Sequence, residues 1–221
     1  MRKPAALLTL TLIVSSPALA QEALRLDFSP PAIERVLERA EGRSATLEVP
    51  RCTRAPSVQG GVSEAQWQSA AEFTIPRGGE ATPATRALIC YDEYALYVAA
   101  ICDLALGTAP VAEEHPRDDG AWRDDCIELW IDTAGSGEAV YQFIISAGGA
   151  IYDQGPGGPD YNPEWRHGAH VGDDGWSVAF AIPLTALELD RWQPTLGFNI
   201  GRNGPDIDPR AFAGSYADTG A

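Results

Sequence analysis

Hydrophobic and polar positions alternate with a period of two through most of the chain, the signature of half-buried β-strands. The clearest case is Cys126-Ile127-Glu128-Leu129-Trp130-Ile131-Asp132, where Ile127, Leu129 and Ile131 share one face and Cys126, Glu128, Trp130 and Asp132 the other. Thr85 to Asp92 and Ala95 to Asp103 read as the arms of a hairpin turning at Glu93-Tyr94. Further strands are expected at Ala45–Val49, Ala139–Ser146, Gly175–Pro183 and Leu196–Asn203. Gly-Gly pairs at 60–61 and 148–149 mark turns. Many short strands with almost no helix predict an all-β, antiparallel, jelly-roll-like β-sandwich.

Three stretches break the pattern. Residues 1–20 carry Arg2 and Lys3, an apolar run from Ala5 to Val14 too short to span a bilayer, and Ala18-Leu19-Ala20 before Gln21. They read as a secretory signal peptide. Residues 21–44 read as a short helical appendage or linker, started by Ser29-Pro30-Pro31, with Ile33, Val36 and Leu37 at helical spacing and Gly42 ending it. The sandwich is then assigned to residues 45–221. Within it, a one-turn helix is expected to end on a buried Trp67, and Leu184–Leu189 reads as a second short helix. Leu104–Gly120 and 153–168 read as loops, and long loops on a rigid scaffold are where binding residues tend to sit.

The chain carries a formal net charge of −15, and removal of the leader takes away Arg2 and Lys3 but no acid. A surface this acidic disfavours nucleic acid and anionic membranes as partners. Export implies a periplasmic or extracellular location. The four cysteines, Cys52, Cys90, Cys102 and Cys126, then suggest two disulfides with three possible pairings. Cys102 and Cys126 each adjoin an aspartate at a strand boundary, which favours that pair and leaves Cys52 with Cys90. The spacing contains no CxxC, against a zinc site.

The order of motifs resembles the family-9 carbohydrate-binding modules and their DOMON-like relatives. The pieces are Ala55-Pro56 through Trp67, Tyr91-Asp92 with Leu96-Tyr97-Val98, Asp103, Trp122 with Asp125 and Glu128, Gly175-Trp176 with Ala181-Ile182-Pro183, and Gly197-Phe198-Asn199-Ile200. The resemblance implies a non-catalytic β-sandwich that binds glucan- or xylan-type saccharides in carbohydrate catabolism. Trp122 looks like an aromatic platform, Glu128 like the carboxylate that accepts from sugar hydroxyls, and Asn199 like an amide reaching the same pocket. A pyranose offers an apolar C–H face to a flat ring and hydroxyls to fixed donors and acceptors. Strand parity adds Gln142 to the face of Glu128 and Asn199. Arg202 is a further ligand-site candidate, or an ion-pair partner for Glu128, and Tyr216 is the candidate second platform. Where family members often carry an arginine on the strand after the central one, this chain has Ile144.

Family members often hold structural calcium, and Asp103 and Asp125 are the metal-ligand candidates, carboxylates suited to a hard ion. Haem is not expected, because a DOMON-type site commonly needs a methionine ligand and Met1 leaves with the leader. A hydrolase would need two cooperating carboxylates, but Asp125 and Glu128 lie three apart on an extended strand and should face opposite ways. The competing reading is an accessory sandwich that has kept the fold, lost the sugar site and binds a protein partner in the envelope.

Overall fold

The computed structural model describes residues 25–27, 47–75, 83–158 and 160–205. Ten strands form two five-stranded sheets. They are β1 Arg25–Asp27, β2 Ala71–Ile75, β3 Thr85–Tyr91, β4 Ala95–Asp103, β5 Cys126–Asp132, β6 Val140–Ser146, β7 Ile151–Gln154, β8 Arg166–Val171, β9 Gly175–Pro183 and β10 Thr195–Asn203. The first sheet runs β1-β10-β5-β6-β7 and the second β2-β3-β4-β9-β8. All pairings are antiparallel except β1 with β10, which is parallel. The fold is an all-β sandwich, with helix confined to single 3-10 turns such as Glu64–Gln66 and Leu184–Leu187 among the described residues.

Period two decides what lies between the sheets. Ile127, Leu129 and Ile131 of β5, Phe143 and Ile145 of β6, and Phe198 and Ile200 of β10 meet Ile89, Val98, Val178 and Phe180 of the second sheet in one buried core. Trp165 stacks on Phe180, with centroids 5.9 Å apart and planes 6° from parallel, and meets Phe143 edge-on. Each such side chain contributes roughly 1.5–3 kcal/mol on burial. The sheets are also tied by Arg202, which points inward between them beneath Ile200. Its guanidinium donates to the Thr85 hydroxyl at 3.3 Å and the Asp103 carbonyl at 3.0 Å, and lies 5.4 Å from the Trp176 ring centroid.

The outer face of the second sheet is closed by residues 50–70. Leu88, Cys90, Tyr97, Ala99, Ala179 and Ala181 point outward there and are buried under Cys52, Val58 and Trp67. This cap is fixed by a hydrogen bond from the Cys52 N–H to the Tyr91 carbonyl at 2.8 Å, and from the Ser177 hydroxyl to the Gly60 carbonyl at 2.8 Å. Gly168 of β8 lets it approach closely, because a Cβ there would sit 2.4 Å from the Val58 carbonyl oxygen.

Several expectations change. Arg25–Asp27, placed in the helical appendage, is an edge strand of the first sheet; the leader and the rest of 21–44 lie outside the described residues. Of the strand expected at Ala45–Val49, residues 47–49 are described and show only a single bridge at Glu48, with Pro50 following at once; residues 45 and 46 lie outside the described residues. The stretch 153–168, read as a loop, holds the end of β7 and the start of β8, and β2 was not foreseen.

The two disulfides are not present: all four cysteines are free and buried. Parity explains the pair across the sandwich. Cys102 points into the inter-sheet core, whereas Cys126 points out of the first sheet into a small cluster with Ala121, Ile144 and Ala150, so the sheet itself lies between the two thiols. Cys52 and Cys90 do meet beneath the cap, as a hydrogen-bonded thiol pair. Burial pushes both thiols up, disfavouring the thiolate that disulfide exchange requires.

Two outcomes follow from this packing. Gly168→Ala, which forces a Cβ against backbone, is expected to cost roughly 1–3 kcal/mol in urea unfolding; an unchanged midpoint would show that the cap is loosely laid. Cys102 and Cys126 are expected to resist alkylation in the folded protein and to react as thiols once it is unfolded, read by mass spectrometry. A disulfide between them would contradict the placement of Cys126.

Candidate functional site

The outward face of the first sheet is a grid set by register. Glu128 lies between Gly201 of β10 and Ile144 of β6, with Tyr152 of β7 beyond. One row along, Trp130 lies between Asn199 and Gln142, with Gln154 beyond. Beside Glu128 in the other direction is Cys126, flanked by Asn203 and Ser146. Three of the expected site residues, Glu128, Gln142 and Asn199, therefore do share one face.

Glu128 is 5% exposed, and its carboxylate is held by side-chain amides. Gln142 Nε2 donates to one oxygen at 3.2 Å and Asn203 Nδ2 to the other at 3.2 Å. Neither oxygen has its full complement of acceptor sites filled by these bonds, since a carboxylate accepts about four. Burial raises the Glu128 carboxyl above its usual value, opposed by the Asn203 and Gln142 hydrogen bonds. Arg202 does not pair with Glu128: it stands on the opposite face of β10, and the amide of Asn203 takes the place it was expected to fill.

Trp122 stands at the entrance to β5 on a single 3-10 turn, Ala121–Arg123, and is 39% exposed. The turn is set by Gly120 at φ 94°, a left-handed conformation that suits glycine, and a Cβ there would also strike the His115 ring at 2.4 Å. Behind the turn, Asp124 accepts from the Glu113 N–H at 2.8 Å and meets His115 Nε2 at 3.1 Å, while Asp125 accepts from the Val111 N–H at 2.9 Å. The long loop from Leu104 is thereby laced to the start of β5. Its base is fixed again by Arg117, which donates to the buried Asp153 at 2.6 Å and to the Pro163 carbonyl at 2.8 Å. A loop held at this many points presents a positioned ring.

Tyr152 is the residue that sequence reasoning missed. It meets Trp122 edge-on with centroids 5.3 Å apart, and its hydroxyl donates to Gln154 at 2.6 Å. Burial alternates along β7, with Ile151 and Asp153 inward and Tyr152 and Gln154 outward, but two hydrophobic residues followed by two polar ones carry no period-two signal in the sequence. Tyr216, the expected second platform, lies outside the described residues. Ile144, 2% exposed, makes the patch between Glu128 and Tyr152 apolar.

The metal expectation does not fit this arrangement. Asp103 and Asp125 are not gathered as a ligand set; the Arg202 guanidinium lies beside both, donating to the Asp103 carbonyl and approaching Asp125 Oδ1 at 4.0 Å. A cation already occupies that position, and calcium wants several free oxygens. Among the described residues, Glu113, His115 and Asp124 do bring one ligand atom each within 4.8 Å. Both Asp124 oxygens are engaged, and an imidazole nitrogen suits a hard ion poorly.

No protein-family model matches the sequence, and no curated protein matches it. Solved structures do match the fold. A candidate carbohydrate-binding protein from Bacteroides uniformis aligns at 14% identity over 72% of this chain and 83% of its own, with a TM-score of 0.56. A family-9 carbohydrate-binding module from Caldicellulosiruptor kristjanssonii, in complex with glucose, aligns at 17% identity over 74% of this chain and 80% of its own, with a TM-score of 0.51. At these identities the likeness concerns backbone architecture. The chain has a fold like that of the family-9 carbohydrate-binding modules.

Proposed function

We propose that the outer face of the first sheet binds a neutral saccharide of glucan or xylan type, without catalysis, in an exported protein that works in the periplasm or outside the cell. The observation that carries the reading is the combination at one end of that face. A partly exposed Trp122 stands at the entrance to a strand whose Glu128 carboxylate is desolvated and aligned by two amides. A sugar ring laid on the indole would offer its hydroxyls to Glu128, with Gln142, Gln154, Asn199 and Asn203 as the neighbouring polar groups. Prealignment matters because binding then orders few side chains. The glucose held by the Caldicellulosiruptor module supports a hexose as ligand. The leader-like residues 1–20 support export, and no helix among the described residues is long and apolar enough to cross a membrane.

A second reading has one observation in its favour. Ile144 places an aliphatic side chain where a hydrogen-bonding residue would serve a sugar, and Tyr152 already lies against Trp122. An apolar floor with aromatic neighbours suits a protein partner, here one in the cell envelope. Titration separates the two.

Isothermal titration of the mature protein with glucose, cellobiose and xylobiose is expected to give saturable heat with at least one of them. Trp122→Ala is expected to weaken that binding about tenfold or more, roughly 1.4 kcal/mol, with the unfolding midpoint retained. A flat titration from folded protein would favour the protein-partner reading.

The raised carboxyl of Glu128 gives a second expectation. Ionised Glu128 is the hydroxyl acceptor, so affinity is present above its folded-state value and lost as pH falls through it. The loss should begin above the range of an ordinary glutamate, and Glu128→Gln should bind more weakly and with that step removed. Stability runs the other way. The native state holds this proton to higher pH than the unfolded chain, so Glu128's contribution to stability declines as pH rises from the ordinary value through the raised one. A pH profile of affinity identical in wild type and Glu128→Gln would remove Glu128 from the site.

A further inference from the structure

Where the cap on the second sheet meets the end of β8, a cleft of about 460 Å³ opens. Its lining includes Arg54 and Arg166, together with Thr53, Ser57, Gln66 and Ser69. Among the described residues, no carboxylate and no aromatic ring lines it. Arg166 pairs in register with Ala181, an outward-facing residue, so the cleft lies on the opposite side of the sandwich from Trp122 and Glu128.

Of the arginines with described side chains that make no ion pair, Arg54, Arg166 and Arg191, the first two line this cleft. In a protein of net charge −15, Arg51, Arg86, Arg117, Arg123 and Arg202 each approach a carboxylate. Arg54 and Arg166 do not: neither guanidinium has an ion pair or a side-chain hydrogen bond among the described residues, and both are exposed at the same cleft. Two arginines lining one concavity raise the local potential for an anion. The frame that carries them is held by the Cys52–Tyr91 and Ser177–Gly60 hydrogen bonds and by the Gly168 contact.

We propose that this cleft is a second binding site, for a small polyhydroxylated carboxylate, that is, an acidic sugar. A guanidinium fork matches a carboxylate bidentately. The Thr53, Ser57 and Ser69 hydroxyls and the Gln66 amide supply donors and acceptors for ring hydroxyls. The volume is that of a small-molecule site. With no aromatic platform among the described lining residues, a neutral pyranose held by stacking is disfavoured. The cleft shares no residue with the outer face of the first sheet, so the assignment stands or falls separately from the neutral-sugar reading.

The test is titration of D-glucuronate at low salt into the Trp122→Ala protein, in which the first face is disabled, with D-glucose, acetate and inorganic phosphate as comparison probes. Saturable glucuronate binding is expected, stronger than for acetate or glucose, weakened by added salt and weakened about tenfold or more by Arg166→Ala or Arg54→Ala. Arg166→Lys keeps the charge and removes the fork, and is expected to fall between the two; it also serves if the alanine variant loses its fold. Glucuronate binding unchanged in these variants, phosphate binding as well as glucuronate, or no saturable heat with glucuronate would each overturn the proposal.

Discussion

Strand β5 is paired on both edges and buried on both faces, and its strict alternation constrains everything around it. Ile127, Leu129 and Ile131 have no alternative to the inter-sheet core, so Glu128 and Trp130 must face the other way. A one-residue slip would bury the carboxylate among aliphatic side chains and turn three of those side chains to the outer face. Register then carries the consequence to the neighbours. Gln142 from β6 and Asn203 from β10 arrive on the same face as Glu128 and supply the hydrogen bonds that make its burial tolerable. The fold and the candidate site rest on one alternation.

The same rule works against intuition at β10 and β4. Arg202 follows Phe198 and Ile200 by even steps and so enters the core, where the Asp103 carbonyl, the Thr85 hydroxyl and the Trp176 ring receive it. Its charge braces one sheet against the other, on the face of β10 opposite Glu128. Cys102 likewise belongs to the core and Cys126 to the outer face. Adjacent aspartates at strand ends carry no information about which side of a sheet a thiol occupies, whereas counting residues along the strand does.

How much was legible in the sequence depended on the length of each periodic run. The strands of seven to nine residues announced themselves, and with them the sandwich and the shared face of Glu128, Gln142 and Asn199. Four-residue β7 offers too few alternations to separate from a turn, and its loss concealed Tyr152 and Gln154. β8 was hidden because His, Gly and Ala give it no apolar period; Gly168 is there to receive the cap, a demand made by tertiary packing alone. The cleft at Arg54 and Arg166 draws on residues more than a hundred positions apart and has no local signature.

The account turns on where a sugar lands. The most direct measurement is a nitrogen-edited NMR titration of the mature protein with cellotriose, following the indole and side-chain amide resonances. The expected result is perturbation of the Trp122 indole and of the Gln142 and Asn203 amides, with Gln66 and Trp67 of the cap over the opposite sheet unmoved. Perturbation confined to the second sheet, or none at saturating sugar, would contradict the assignment of the first sheet's outer face as the saccharide-binding surface.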